Sequence, residues 1–273
     1  MTVGEAIRAA ATRLAPVSDT ARLDAELLMA HALGLSRSEM LLRAMRDPAP
    51  ASFTALVERR AGHEPVAYIT GTAEFFGLPL KVTSATLIPR SDSETLVVAA
   101  LERAGPEGRA IDLGTGTGAL LLAVLAERAG WEGIGIDASH AALQVASGNA
   151  AALGLATRAL FHRRDWRAAG WAETLGTFDL ALCNPPYIES DAVLDRQVRD
   201  HEPASALFAG PEGLDDYRVL IPQLRALMKP QATAILEIGA NQAEPVTALA
   251  AGSGFAVQLR RDLAGRPRAL LLT

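Results

Sequence analysis

Ile111-Asp112-Leu113-Gly114-Thr115-Gly116-Thr117-Gly118 stands between a strand-like run, residues 109–113, and an apolar helical run, residues 119–129. Glycines there let the chain turn sharply and let a ligand approach the main chain with no Cβ in the way. From this loop onward strand and helix signals alternate, the mark of a βαβ array around a parallel sheet. Residues 133–136, 159–162, 178–183 and 232–238 read as further strands, and residues 141–153, 217–228 and 243–251 as helices. Residues 256–260 and 268–272 read as a closing hairpin around Gly265-Arg266-Pro267.

The loop does not name its ligand. Gly114, Gly116 and Ala119 satisfy the relaxed G-x-G-x-x-G/A pattern of dinucleotide sites, and a tight turn without a ligand is a further reading. Asp137 ends the next strand, about 20 residues on, where a carboxylate accepts hydrogen bonds from ribose hydroxyls in either kind of site. It also suits an N-cap. Asp165-Trp166, after the third strand, offers an acid and an aromatic face for a base, or else a core tryptophan beside a solvated acid. Asp112 is placed to orient the loop or to reach an amino group.

Upstream the pattern is different. Residues 1–62 read as a bundle of four short helices: 2–14, 19–33 with a core face of Leu23, Leu27, Leu28 and residues 30–32, a third opened by the capping box Ser36-Arg37-Ser38-Glu39, and 51–61. Gly34 suits a C-cap. Residues 63–71 and 73–82 read as two extended segments around Gly71, so that residues 63–84 form a hairpin linker to an α/β domain over residues 85–273.

The net charge is −5 at pH 7 and Lys81 and Lys229 are the only lysines. That balance argues against a protein living on nucleic acid, where phosphate neutralisation supplies much of the affinity. A single cysteine, Cys183, excludes an internal disulfide and a thiolate metal cluster, and the five histidines lack metal-ligand spacing. Residues 1–16 lack the apolar core of a signal peptide, and no uncharged stretch approaches the roughly 20 residues of a membrane span. A cytoplasmic monomer is the expectation.

Asn184-Pro185-Pro186-Tyr187, at the end of the fourth strand of the sheet, separates the cofactor readings. Open α/β sheets bind ligands beyond the carboxyl ends of their strands, so this tetrapeptide shares a crevice with the glycine loop. An amide or aromatic NH2 is a poor nucleophile because its lone pair is delocalised. Two acceptors, the Asn184 side-chain oxygen and the Pro185 carbonyl, can take its two N–H bonds and aim the lone pair at a methyl carbon. Consecutive prolines fix φ and add no competing donor. Tyr187 packs against the flat group. The motif therefore points to S-adenosylmethionine as cofactor, S-adenosylhomocysteine as product, and a planar NH2 acceptor. A nucleobase is the alternative to an amide, and Glu237 and Glu94 are equally well read as crevice or structural residues.

The chain resembles the HemK/PrmC family of protein-glutamine N5-methyltransferases. Arg22-Leu23-Asp24-Ala25-Glu26-Leu27-Leu28, Glu64-Pro65-Val66-Ala67-Tyr68-Ile69-Thr70-Gly71 and Glu74-Phe75-Phe76-Gly77-Leu78 are similar to its N-terminal signatures. Ile88-Pro89-Arg90-Ser91-Asp92-Ser93-Glu94 is similar to its IPRPxTE block, with Ser91 in place of a usual proline. The resemblance implies a class I S-adenosylmethionine-dependent methyltransferase, a Rossmann-like α/β fold with a mostly parallel seven-stranded sheet and a small helical bundle before it. It implies Gly114, Thr115, Gly116, Thr117, Gly118, Asp137, Trp166 and Asn184 as cofactor contacts. Asn184, Pro185, Pro186 and Tyr187 are implied as acceptor contacts, Asn184, Pro185 and Tyr187 serving catalysis. The implied substrate is the Gly-Gly-Gln glutamine of class 1 peptide-chain release factors, docked by the helical domain.

Overall fold

The computed structural model describes residues Met1–Thr273. The chain divides into a helical unit, Met1–Thr72 with Leu194–His201, and a sheet unit, Ala73–Val193 with Glu202–Thr273. No helix is long and apolar enough to cross a membrane.

The helical unit holds α1 (Val3–Leu14), α2 (Ala21–Leu33), α3 (Arg37–Glu39, continued by a π-helical turn Met40–Ala44), α4 (Phe53–Ala61) and α5 (Val66–Thr70). Thr2 and Ser36 each open a helix with a reciprocal capping box, to Glu5 and Glu39. Gly34 closes α2 at φ +66°. The core packs Val3, Ile7, Leu14, Leu28, Met29 and Met40. Leu28 and Ala30 are buried on the core face of α2 as expected, but Leu23 and Leu27, expected beside them, are exposed, and Asp24, Ala25 and Met29 turn inward instead. Ion pairs accompany that rotation: Asp24 accepts from the buried Arg60 at 2.7 Å and from the Ser18 and Thr20 hydroxyls, and the buried Glu26 pairs with the half-exposed Arg22 and Arg37.

The expected hairpin over residues 63–84 is corrected. Residues 66–70 are a helical turn, N-capped by Pro65 and ended by Gly71 at φ +77°. Apolar residues at Val66 and Ile69 fit one turn of helix as well as a strand, and the preset φ of proline favours a helix start. The hairpin itself joins β1 (Thr72–Phe75) to β2 (Leu78–Lys81) through Phe76-Gly77.

The sheet unit then runs α6 (Glu94–Arg103), β3 (Glu107–Leu113), α7 (Ala119–Glu127), β4 (Gly130–Asp137), α8 (His140–Ala152), β5 (Ala159–Arg163) and β6 (Phe178–Cys183). After the short α9 (Arg196–Arg199) of the helical unit come α10 (Asp215–Leu227), β7 (Met228–Glu237), α11 (Ala243–Gly252), β8 (Val257–Arg261) and β9 (Pro267–Leu272). Seven strands pair in the order β5-β4-β3-β6-β7-β9-β8, parallel except for β9, which is antiparallel to both neighbours. Side chains alternate across this sheet. Leu180, Leu182, Ile235 and Leu271 face α6 and α7, while Ala181, Cys183, Leu236 and Leu272 face α10 and α11. Both faces are covered, which is why the strands read as unbroken apolar runs. The strand order reverses between the parallel neighbours β3 and β6, so the crevice beyond their carboxyl ends receives the glycine loop and residues 184–187 together.

Candidate active site

A cavity of about 390 Å³ opens in the sheet unit at this switch point, lined by the glycine loop, Asp112, Asp137, residues 164–167, Asn184 and Pro186. The loop is tied down by its own amides. The N–H groups of Gly114 and Thr115 both donate to the Ile136 carbonyl at 2.9 and 2.8 Å, Gly118 donates to Thr115, and Gly116 donates to Asp137 Oδ2 at 3.0 Å. Gly118, at φ +83°, has no room for a side chain, since a Cβ there would lie 2.9 Å from Leu122 Cδ1.

Beneath the loop, Asp112 is 1% exposed and accepts from the Thr115 hydroxyl at 2.7 Å. Burial pushes its carboxyl up to about 7, against the lowering effect of that hydroxyl and of the Leu121 amide. Asp137 also lines the cavity; burial raises it too, with the Ser139 and Gly116 amides opposing. Each of its oxygens takes one backbone N–H, leaving further lone pairs for a ligand. The N-cap of α8 is Ser139 rather than Asp137, its hydroxyl accepting from Ala142 N.

Trp166 lies against the loop: a Cβ on Gly114 would come within 3.2 Å of its ring. Its indole N–H donates to Asp216 Oδ1 at 3.0 Å, and Arg167 reaches the same oxygen at 2.9 Å. Asp165 is exposed and accepts from the Arg167 amide. The opposite wall comes from residues 85–90 and 203–208, stapled by an ion pair between Arg90 and the buried Glu202, which also accepts from Ile88 N at 3.2 Å.

Residues 184–187 divide. Asn184 and Pro186 line the cavity, Asn184 half-buried and with no protein hydrogen bond on its side chain. Pro185 is buried. Tyr187 sits behind the wall rather than in it, with its hydroxyl 3.4 Å from Glu237 Oε1. Burial raises that phenol to about 12. Sequence reasoning missed Asp216 and Glu202. An acid in the first turn of α10 is an ordinary helix feature, and Glu202 follows a loop without periodicity, so neither carried a signal. Glu237 is resolved as a buried group tied to Tyr187.

A mostly parallel seven-stranded sheet whose strand order reverses between β3 and β6, with β9 inserted antiparallel and a glycine loop and acid-lined cavity at the switch point, has the class I S-adenosylmethionine-dependent methyltransferase fold. A solved methyltransferase from Pyrococcus furiosus shares it, with a TM-score of 0.52 at 15% identity, over 80% of this chain and 95% of that one. The PrmC N-terminal domain matches residues 5–71 and a methyltransferase domain matches residues 105–244. A release factor glutamine methyltransferase from Bradyrhizobium diazoefficiens is 42% identical, over 92% of this chain and 88% of that protein. One from Cereibacter sphaeroides is 42% identical over 98% and 97%. The chain belongs to the release factor glutamine methyltransferase family.

Proposed function

We propose that this enzyme transfers a methyl group from S-adenosylmethionine to the side-chain amide nitrogen of the glutamine in the Gly-Gly-Gln motif of class 1 release factors. The observation that carries the chemistry is the Asn184 amide, unengaged by the protein and set in the wall of the cavity that holds the glycine loop. Near-full-length similarity to release factor glutamine methyltransferases supports the choice of glutamine. It disfavours the nucleobase alternative.

The cavity's chemistry fits a cationic amino-acid cofactor better than a dinucleotide. The amides of Gly114, Thr115, Gly116 and Gly118 are already committed within the protein, so they form no cradle for a pyrophosphate. Asp112 adds a carboxyl where a phosphate would be repelled and an ammonium welcomed. Asp137 offers acceptors for ribose hydroxyls and Trp166 a flat wall for a base, while Thr115 and Thr117 hold the loop beside them. S-Adenosylmethionine, when bound, supplies a methyl group on a sulfonium, and S-adenosylhomocysteine remains.

The protein's own task is orientation. Asn184 Oδ1 and the Pro185 carbonyl accept the two N–H bonds of the glutamine amide, which turns its lone pair towards the methyl group. Pro186, in the cavity wall and backed by Tyr187, holds the plane of that amide. Fixing the reactants in line is worth many orders of magnitude and needs no general base before attack, because the nitrogen becomes acidic only as it gains the methyl. Exclusion of water from the crevice adds to this as the positive charge disperses.

The helical unit, Met1–Thr72, docks the release factor; the exposed Leu23, Leu27, Leu35 and Leu42 are apolar contacts it has to offer. The reading puts the enzyme in the cytoplasm as a monomer without direct nucleic-acid contact, in keeping with its net charge of −5. Incubation with labelled S-adenosylmethionine and, separately, a release factor, bulk RNA and DNA tests the substrate class. Label in the release factor alone is the expected result. Label in nucleic acid and none in the release factor would overturn the reading.

A further inference from the structure

Tyr187 is held from behind, at both ends, by one turn of chain. Gln242 Nε2 donates to the Tyr187 carbonyl at 3.0 Å and to the Gly213 carbonyl at 3.1 Å, while its Oε1 accepts from Gly239 N at 3.0 Å. That uses both donors and the acceptor of a primary amide, which neither Glu nor Leu can reproduce. At the other end, Glu237 takes the Tyr187 hydroxyl on Oε1 and the Ser93 hydroxyl on Oε2, at 3.4 and 2.5 Å. The backbone has made room for this grip. A Cβ on Gly213 would lie 2.3 Å from the Tyr187 carbonyl oxygen, and one on Gly239 would lie 2.9 Å from Gln242 Oε1.

Neither Glu237 nor Gln242 lines the cavity. Glu237 is 1% exposed at the end of β7, where the pairing of Leu236 with Cys183 sets it next to Asn184. A carboxyl so buried is costly unless its hydrogen bonds are needed. Its two hydroxyl partners belong to opposite sides of the site, Ser93 to the wall that contains Arg90 and Tyr187 to the loop that contains Asn184.

We propose that residues 237–242 are the positioning element of the acceptor-holding loop: Gln242 fixes its main chain, and Glu237 braces its tyrosine against Ser93 from behind the cavity wall. Together they set where Asn184 Oδ1 and the Pro185 carbonyl stand. The proposal rests on the acceptor role given to Asn184 and Pro185 above. Glu237 and Gln242 are positioning residues, acting through Tyr187 without touching substrate.

The variants Q242A, E237A and E237Q test it. Hydrogen exchange of the ligand-free protein, read by mass spectrometry, should show the amides of Tyr187 and Ile188 exchanging about tenfold faster in Q242A, with residues 114–118 unchanged. With a release factor as acceptor, kcat should fall about tenfold or more in Q242A and E237A, as expected when a reacting group is displaced. Affinity for S-adenosylhomocysteine should stay within about threefold. E237Q keeps an acceptor and a donor for the two hydroxyls and should retain most of the activity. Unchanged exchange at Tyr187 and Ile188, with kcat near that of the parent, would overturn the proposal. So would an equal loss of cofactor affinity, or an E237Q as impaired as E237A. Should the parent protein fail to methylate a release factor, the functional reading falls, while exchange still decides whether Gln242 fixes the loop.

Discussion

The Trp166 indole donates its N–H to Asp216 Oδ1 at 3.0 Å, joining the loop after β5 to the first turn of α10 and pressing the ring against Gly114. Asp216 is 2% exposed and takes Arg167 on the same oxygen. The aromatic wall of the cavity is therefore set by a residue on another element.

Asp216→Ala should free the indole and weaken binding of S-adenosylhomocysteine about tenfold, the equivalent of roughly 1.4 kcal/mol. Calorimetry measures this directly. Unchanged affinity would show that Trp166 holds its place without the acid.

Asn184→Ala should lower methyl transfer by two or more orders of magnitude, the size of effect seen when an orienting or polarising group is lost. Binding of S-adenosylhomocysteine should change far less. Single-turnover kinetics beside calorimetry separate the two, and near-normal turnover would break the mechanism.

Asp112 and Glu237 are both raised by burial to about 7. The folded protein therefore holds protons that the unfolded chain releases near the ordinary carboxyl range. Their contribution to stability is present in full below about pH 4 and is lost as pH rises through about 7. Asp112→Asn should flatten this slope and make the ligand-free protein more stable than the parent at pH 8, by up to a few kcal/mol. Urea unfolding at pH 5 and pH 8 gives the slope; parallel behaviour of variant and parent would contradict the assignment.

In the helical unit, Asp24→Ala would leave Arg60 buried without its carboxylate, when one of its nitrogens, Nη1, already lacks a partner. The expected loss is about 3–5 kcal/mol, read as a lowered denaturant midpoint. Asp24→Asn should lose less, because it can still accept from Arg60.

The βαβ array and the meeting of the glycine loop with residues 184–187 were legible because parallel strands buried on both faces leave long apolar runs, and because a sheet has one place where its strand order reverses. Residues 178–183 are a strand over the full expected span. Local pattern failed where tertiary partners decide. Leu23 and Leu27 read as core from spacing alone, yet α2 rotates to bury Asp24 against Arg60, 36 residues along the chain, and Glu26 against Arg22 and Arg37. Residues 66–70 looked extended, yet one turn of helix follows Pro65. The same holds at the site. Asp112, Asp137 and Asn184 sit at strand ends and announce themselves, whereas Asp216, Glu202 and Gln242 act on segments far along the chain and have no signature of their own.

The most direct test of the account is mass mapping of the methyl group. A release factor and its Gly-Gly-Gln glutamine-to-glutamate variant are each incubated with the enzyme and labelled S-adenosylmethionine, then digested and sequenced by fragmentation. The prediction is a single added methyl on the side-chain amide of that glutamine and no incorporation into the variant. Equal labelling of the variant, or a methyl group elsewhere in the factor, would contradict the claim that residues 184–187 hold a glutamine amide for transfer.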